Sequence, residues 1–176
     1  MSQLIRVAAE HFSQYRAGFH ALLSDAIASG ASLGFLANFS QREADEYFEQ
    51  VQDGLNSASH CLWLVLEQGQ VVASIQLVLC LKANGLNRAE IQKLMVLRSA
   101  RRQGLAAQLM AAVEAHAHSI KRGLLYLDTE AGSAAELFYQ QQGYQCIGGL
   151  PDYACGPDGQ YRANAIYYKT LSRAKP

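Results

Sequence analysis

The stretch from Lys93 to Leu109 constrains the fold of this chain more than any other. A strand-like apolar run through Leu94, Met95, Val96 and Leu97 enters a turn bearing Arg98, Arg101 and Arg102. After Gly104 comes a segment whose apolar residues recur at helical spacing. A strand that feeds a helix through so short a basic turn leaves the first N–H groups of the helix unpartnered, where a phosphate can sit. The helix dipole alone is worth only ~0.3–1 kcal/mol to an anion, so arginines and several amides must act together to hold a diphosphate. An ordinary solvated turn carries the same charges, and charge alone does not separate the two readings. A P-loop is excluded, because Leu105 follows Gly104 where Lys-Ser/Thr is needed. The three glycines of a dinucleotide fingerprint are also missing from the first strand–helix unit.

A chain of 176 residues is expected to form one domain, 1–176, that buries its core without help from metal or disulfides. Fifteen basic residues balance fifteen acidic ones, so no bulk attraction to nucleic acid or anionic membrane is expected and any anion site is local. No apolar run approaches the ~20 residues of a membrane span. The start, Met1 to Arg6, lacks a signal-peptide pattern, so a cytoplasmic protein is expected. Cys61, Cys80, Cys146 and Cys155 are widely spaced and read as buried reduced thiols. His116 and His118 fall on different sides of a helix, so no metal site is expected, and His118 is placed to pair with Glu114.

Leu4 to Val7 alternates as a first strand, and Phe12, Phe19, Leu22, Leu23 and Ile27 make one face of a helix that Gly30 ends. Residues 30–38 form a loop with an apolar lining. Ser40 and Glu43 make a capping box that opens a second helix, over about residues 41–55. Residues 61–66 and 71–81 read as a hairpin around Gly69, and residues 89–97 as a fourth strand. The helix from Gly104 should stop at Gly123. The strand at 124–128 then pairs parallel to the fourth through a right-handed crossover. Ser133 and Glu136 give another capping box, opening a helix that stops at Gly143. Residues 144–147 and 165–170 close the sheet, with a loop at 151–161 between them. The reading is a mixed α/β fold of about seven strands and four helices.

Arg101-x-x-Gly104-x-Ala106 resembles the acetyl-coenzyme A (acetyl-CoA) pyrophosphate signature of the GNAT superfamily of N-acetyltransferases, and it falls after the fourth strand as in that fold. The segment from Ala135 to Tyr144 resembles the family's second motif, Ala-x-x-x-Tyr-x-x-x-Gly-Phe/Tyr, with Tyr139 at the general-acid position. Residues 85–96, 122–133 and 165–171 are similar to the tabtoxin-resistance acetyltransferases, a branch that modifies the amine of a β-lactam plant toxin. The resemblance implies the GNAT fold, a splayed parallel pair of fourth and fifth strands that admits the pantetheine arm, and acetyl-CoA as acyl donor. It assigns cofactor contacts to Leu94, Met95 and Val96, to Arg101, Arg102, Gln103, Gly104, Leu105, Ala106 and Ala107, and to Ser133. The chain departs from the common pattern at Arg98, where the family often has proline, and at Arg102, where it often has glycine. It departs again at Gly132-Ser133, where asparagine commonly opens the second motif.

Acetyl transfer to an amine needs a proton acceptor for the ammonium and a proton donor for the departing thiolate. Glu90 stands where several GNAT enzymes carry their general base, and alternation puts Glu90, Gln92, Leu94 and Val96 on one face. It also reads as a surface carboxylate at a strand end. Asp128, at the C-terminal end of the fifth strand, either recognises or deprotonates the amine or caps a turn with Thr129. Tyr139 lies one step from Phe138 and so points about 100° away from that core-facing ring. In the family such a tyrosine serves the leaving thiolate; a helix-surface tyrosine is the plain alternative. Phe35 and Asp152, on two variable loops, are candidates for acceptor binding. The function expected is an acetyl-CoA-dependent N-acetyltransferase acting on a small-molecule amine, a toxin or amino acid analogue included. A protein N-acetyltransferase and a non-catalytic acyl-CoA sensor are the alternatives, and both monomer and homodimer stay open.

Overall fold

Apolar residues that alternate along strands and recur at helical steps sort onto two faces of one twisted sheet. The computed structural model describes residues 2–171. In chain order these form β1 (Ser2–Val7), α1 (Phe12–Ala28), α2 (Gln41–Asn56), β2 (His60–Glu67), β3 (Gln70–Leu79), β4 (Arg88–Val96), α3 (Leu105–Ser119), β5 (Leu124–Glu130), α4 (Ala134–Gln141), β6 (Gln145–Gly148), β7 (Ala154–Cys155), β8 (Tyr161–Arg162) and β9 (Asn164–Thr170). Seven strands make the sheet, in the order β1-β2-β3-β4-β5-β9-β6, with β4 and β5 parallel and the other neighbours antiparallel. This is the expected architecture with one addition: β7 and β8 pair as a hairpin inside the segment read as a loop. Two residues per strand are too few to leave a period in the sequence.

The strand β2 is apolar from Cys61 to Leu66 because both of its faces are covered there. Leu62, Leu64 and Leu66 pack under α1 and α2 with Phe12, Phe19, Leu22 and Phe48. Cys61, Trp63 and Val65 face the other way, towards Leu109, Met110 and Val113 of α3. Truncating one fully buried leucine of this kind to alanine costs ~2–5 kcal/mol.

Three local readings are corrected. In α4 the core-facing ring is Tyr139, and Phe138 is only partly buried against it. Of the four cysteines only Cys61 is buried, and Cys146 is exposed on the edge strand β6. Glu114 pairs at 2.9 Å with Lys169 of β9 instead of with His118.

The correction with most consequence lies in β4. Ser74 pairs with Met95 but Gln76 with Gln92, so Lys93 and Leu94 together stand opposite Ile75. This is a β-bulge, with Lys93 held at φ 53°, a left-handed value that costs a side-chain-bearing residue on the order of 1 kcal/mol. The extra residue inverts the alternation. Ala89 and Ile91 face α3, and past the bulge Leu94 and Val96 join them while Met95 turns towards α1 and α2. The common face expected for Glu90, Gln92, Leu94 and Val96 does not form.

Candidate active site

The parallel β4–β5 ladder is short: Arg88, Ala89 and Glu90 pair with Leu124, Leu125 and Tyr126, and there the pairing ends. Beyond it each strand keeps its outer neighbour, β4 holding to β3 and β5 to β9, so a gap opens between them. A cavity of about 400 Å³ lies at this gap. Its walls are residues 30–34 of the α1–α2 loop, residues 90–94 of β4, residues 128–130 of β5, Ser133 and Tyr139 at α4, and Tyr153 with Ala154. The two loops are tied to each other, the Ala37 N–H donating to the Pro157 carbonyl at 3.1 Å.

Where β4 leads into α3, the helix begins at Gly104, which sits at φ 80° and has no side chain to cap the helix. Among the described residues the amides from Arg102 to Ala107 have no protein acceptor, and the first helical bond runs from the Gln108 N–H to the Gly104 carbonyl at 3.0 Å. A Cβ at Gly104 would meet nothing within 4 Å, so glycine serves the backbone conformation and leaves the approach open. Arg101 adds its guanidinium and is steadied by an Nε–H bond to the Val96 carbonyl at 3.1 Å. Arg102 and Gln103 are exposed, the side chain of Leu105 is buried in the core, and Ala106 and Ala107 are half-buried. A cradle of successive amides beside an arginine fits a diphosphate. Arg98 is committed elsewhere, since its backbone N–H and its Nε–H both donate to the Asp25 carboxylate at 2.9 Å.

The second helix start at the cavity is closed on itself. Ser133 Oγ accepts from the Glu136 N–H at 3.2 Å, and the Glu136 carboxylate accepts from the Gly132 N–H at 2.6 Å and the Tyr167 hydroxyl at 2.7 Å. The expected capping box is thus offset by one residue. Those two bonds, that from Tyr167 first, hold the Glu136 carboxyl below its ordinary range.

Tyr139 is 8% exposed, yet it lines the cavity, and among the described residues its hydroxyl has no hydrogen-bond partner. Burial, assisted by the charge of Asp128, pushes its pKa well above that of an ordinary phenol. Such a group keeps its proton at neutral pH and can give it only to a strong base formed beside it. Glu90, half-buried, and Asp128, exposed, line the same cavity. Leu94 lines it too, whereas the Met95 side chain is buried under α1 and α2. Neither Phe35 nor Asp152 is on the wall. Phe35 packs against Phe39 and Tyr47, ring centroids 5.3 and 5.5 Å away, and Asp152 is exposed at φ 49°. Their neighbours Gly34 and Tyr153 take those places.

Sequence reasoning missed Lys93. Its ammonium donates to the Leu33 carbonyl at 2.6 Å and lies 5.7 Å from the centre of the Tyr47 ring. Burial depresses its pKa, opposed by the charges of Asp128 and Glu90. Behind it Gln76 donates to the Tyr47 hydroxyl at 2.6 Å. The available signal was polarity out of place: a lysine directly before the apolar run of β4, and Ser74 and Gln76 inside that of β3. Among the described residues no cluster of three or more His, Cys, Asp or Glu side chains is placed to hold a metal, and no helix is long and apolar enough to cross a membrane.

Comparison with solved structures returns the same fold. The ribosomal-protein-alanine N-acetyltransferase of Brucella melitensis matches with a TM-score of 0.77 at 18% identity, over 96% of this chain and 99% of that one. An N-acetyltransferase of Staphylococcus aureus Mu50 gives the same score and identity over 98% and 99%. The yncA protein of Salmonella typhimurium, solved with its cofactor acetyl-CoA, gives 0.78 at 11% identity over 100% and 97%. The acetyltransferase (GNAT) family model matches residues 3–144, a span that takes in the splayed strands, the uncapped start of α3 and Tyr139. The chain belongs to the GNAT family of acetyltransferases.

Proposed function

We propose that the protein transfers the acetyl group of acetyl-CoA to the amine of a small molecule. The observation that carries this reading is the cavity at the strand gap. It measures about 400 Å³, is lined by a buried phenol and three carboxylates, of which Glu130 is paired with Arg162 and Glu90 and Asp128 are not, and is flanked by two loops hydrogen-bonded to each other. Such a volume suits a small ligand, whereas an extended peptide needs an open groove.

Acetyl-CoA supplies the thioester carbonyl. The amides of residues 102–107 and Arg101 hold its diphosphate, and the gap beyond Glu90 takes the pantetheine arm. Asp128 attracts the acceptor ammonium, and Glu90 takes one of its protons, directly or through water, to leave a nucleophilic amine. As the N–C bond forms and the C–S bond breaks, Tyr139 gives its proton to the sulfur. The second amine proton restores Tyr139 through water.

The test is thiol release from acetyl-CoA across small amines, amino acids and β-lactam amino acids, the last supported by the tabtoxin-resistance resemblance. Peptides beginning with alanine belong beside them, since the Brucella melitensis neighbour is named for a protein alanine. Turnover of a small amine is expected, with kcat reduced ~10²–10⁴-fold in Tyr139→Phe. Turnover of peptides alone, or cofactor binding without release across the whole panel, would overturn the proposal.

A further inference from the structure

The acetyl-transfer scheme leaves Lys93 without a task. An ammonium has three donors. Here one is used on the Leu33 carbonyl at 2.6 Å, and the face of Tyr47 lies 5.7 Å away. Among the described residues no carboxylate comes within 4.0 Å of it. Charges taken out of water are normally paired, and this one stands in the wall of a cavity.

A second, independent feature lies on the same wall. In the loop that Lys93 grips, Ser32, Leu33 and Gly34 line the cavity, and their amides have no protein acceptor among the described residues. Gly34 sits at φ 86°, and a Cβ there would come 3.8 Å from Lys93 Nζ, so loop and ammonium form one surface. Unpartnered successive amides next to a cation make an anion-binding concavity. The cavity also holds Glu90 and Asp128, while Glu130 is paired with Arg162 at 3.5 Å. Both signs of charge therefore meet in one small space.

We propose that this wall is a carboxylate subsite and that the acceptor is zwitterionic, an amine that also bears a carboxylate, as an amino acid does. Lys93 and the amides of residues 32–34 hold the carboxylate, while Glu90 and Asp128 hold the ammonium. The proposal rests on the small-amine reading and narrows it. If Lys93 merely offsets the two carboxylates, the acceptor's own carboxylate does not matter, and that difference can be measured.

The experiment compares an amino acid with its carboxamide as acceptors for wild type, Lys93→Met and Lys93→Arg. The read-out is the acid-to-amide ratio of kcat/KM. The two amines differ in pKa, but that difference is common to all three proteins, so the change in ratio isolates the carboxylate. The wild type is expected to favour the acid, Lys93→Met to lower the ratio ~10–100-fold, and Lys93→Arg to keep most of it. A parallel calorimetric titration, with the N-acetylated acid and its amide as probes in the presence of CoA, reads the same ratio without turnover. An unchanged ratio in Lys93→Met, even with both acceptors slowed, would show a structural lysine and overturn the proposal, as would a wild type that favours the amide. Absence of turnover with every amine would instead defeat the small-amine reading, and the titration would still decide the subsite.

Discussion

The helices α2 and α3 are almost equal in length and lie on opposite faces of the sheet, yet they begin in opposite ways. At α2 the Ser40 side chain accepts from the Glu43 N–H at 3.2 Å, and the Ser40 N–H donates to the Glu43 carboxylate at 2.7 Å. At α3 Gly104 offers nothing, and six successive amides, 102–107, have no protein acceptor among the described residues. Both ends carry the same dipole. What opens one of them to an anion is the absence of a cap, which forgoes ~0.5–2 kcal/mol of helix stability and leaves donors free beside the parted strands.

Giving α3 the cap it lacks is the strongest way to break this contrast. In Gly104→Asp the new carboxylate competes for the free amides and repels the diphosphate. The Kd for acetyl-CoA is expected to rise ~30–100-fold by calorimetry, with some loss of stability from the left-handed backbone. Removing the cap that α2 has makes the reciprocal change. Ser40→Ala should cost ~1 kcal/mol in urea unfolding and leave the acetyl-CoA Kd unaltered. A cofactor defect in Ser40→Ala would mean that the two helix ends are not independent.

The same contrast shows why some features were legible in the sequence and others were not. Ser40 with Glu43, and Arg101 with Gly104, announce helix starts because capping and its absence are local chemistry, decided within four residues. The bulge at Lys93 is decided by how β4 registers on β3, around Ser74 and Gln76, so an alternation read along β4 alone carries Leu94 and Val96 to the wrong face. Tyr139 was misoriented for a related reason. In an eight-residue helix with adjacent aromatic rings, the buried ring is chosen by neighbours outside the helix, among them Tyr144 at 6.2 Å. Phe35 sits in a loop with no period, and its partners Phe39 and Tyr47 lie in the next loop stretch and in α2, so nothing in its own stretch placed it in the aromatic cluster instead of on the cavity wall.

The turn before α3 holds the finest form of the comparison, because its arginines look alike in sequence and are employed differently. Arg98 belongs to α1: Asp25 accepts its backbone and Nε hydrogens, both at 2.9 Å. Burial pushes the Asp25 carboxyl up, but the two bonds from Arg98 and the charges of Arg98 and Arg101 outweigh it and leave the pKa below its ordinary value. A carboxyl whose folded pKa is depressed stabilises the native state above the ordinary carboxylate range, and loses that contribution as pH falls through the range to its folded value. The Arg98 side chain is 60% exposed, so solvent screening keeps the effect small. Arg98→Ala should therefore lower stability by ~0.5–1 kcal/mol near neutral pH, with the difference from wild type shrinking as pH drops through the carboxylate range in parallel urea titrations. Its acetyl-CoA Kd should move by less than about 3-fold, where Arg101→Ala, which removes a cradle charge, should move it more. A tenfold cofactor defect in Arg98→Ala would join Arg98 to the diphosphate cradle and erase the distinction between an arginine that fastens the turn and one that serves the ligand.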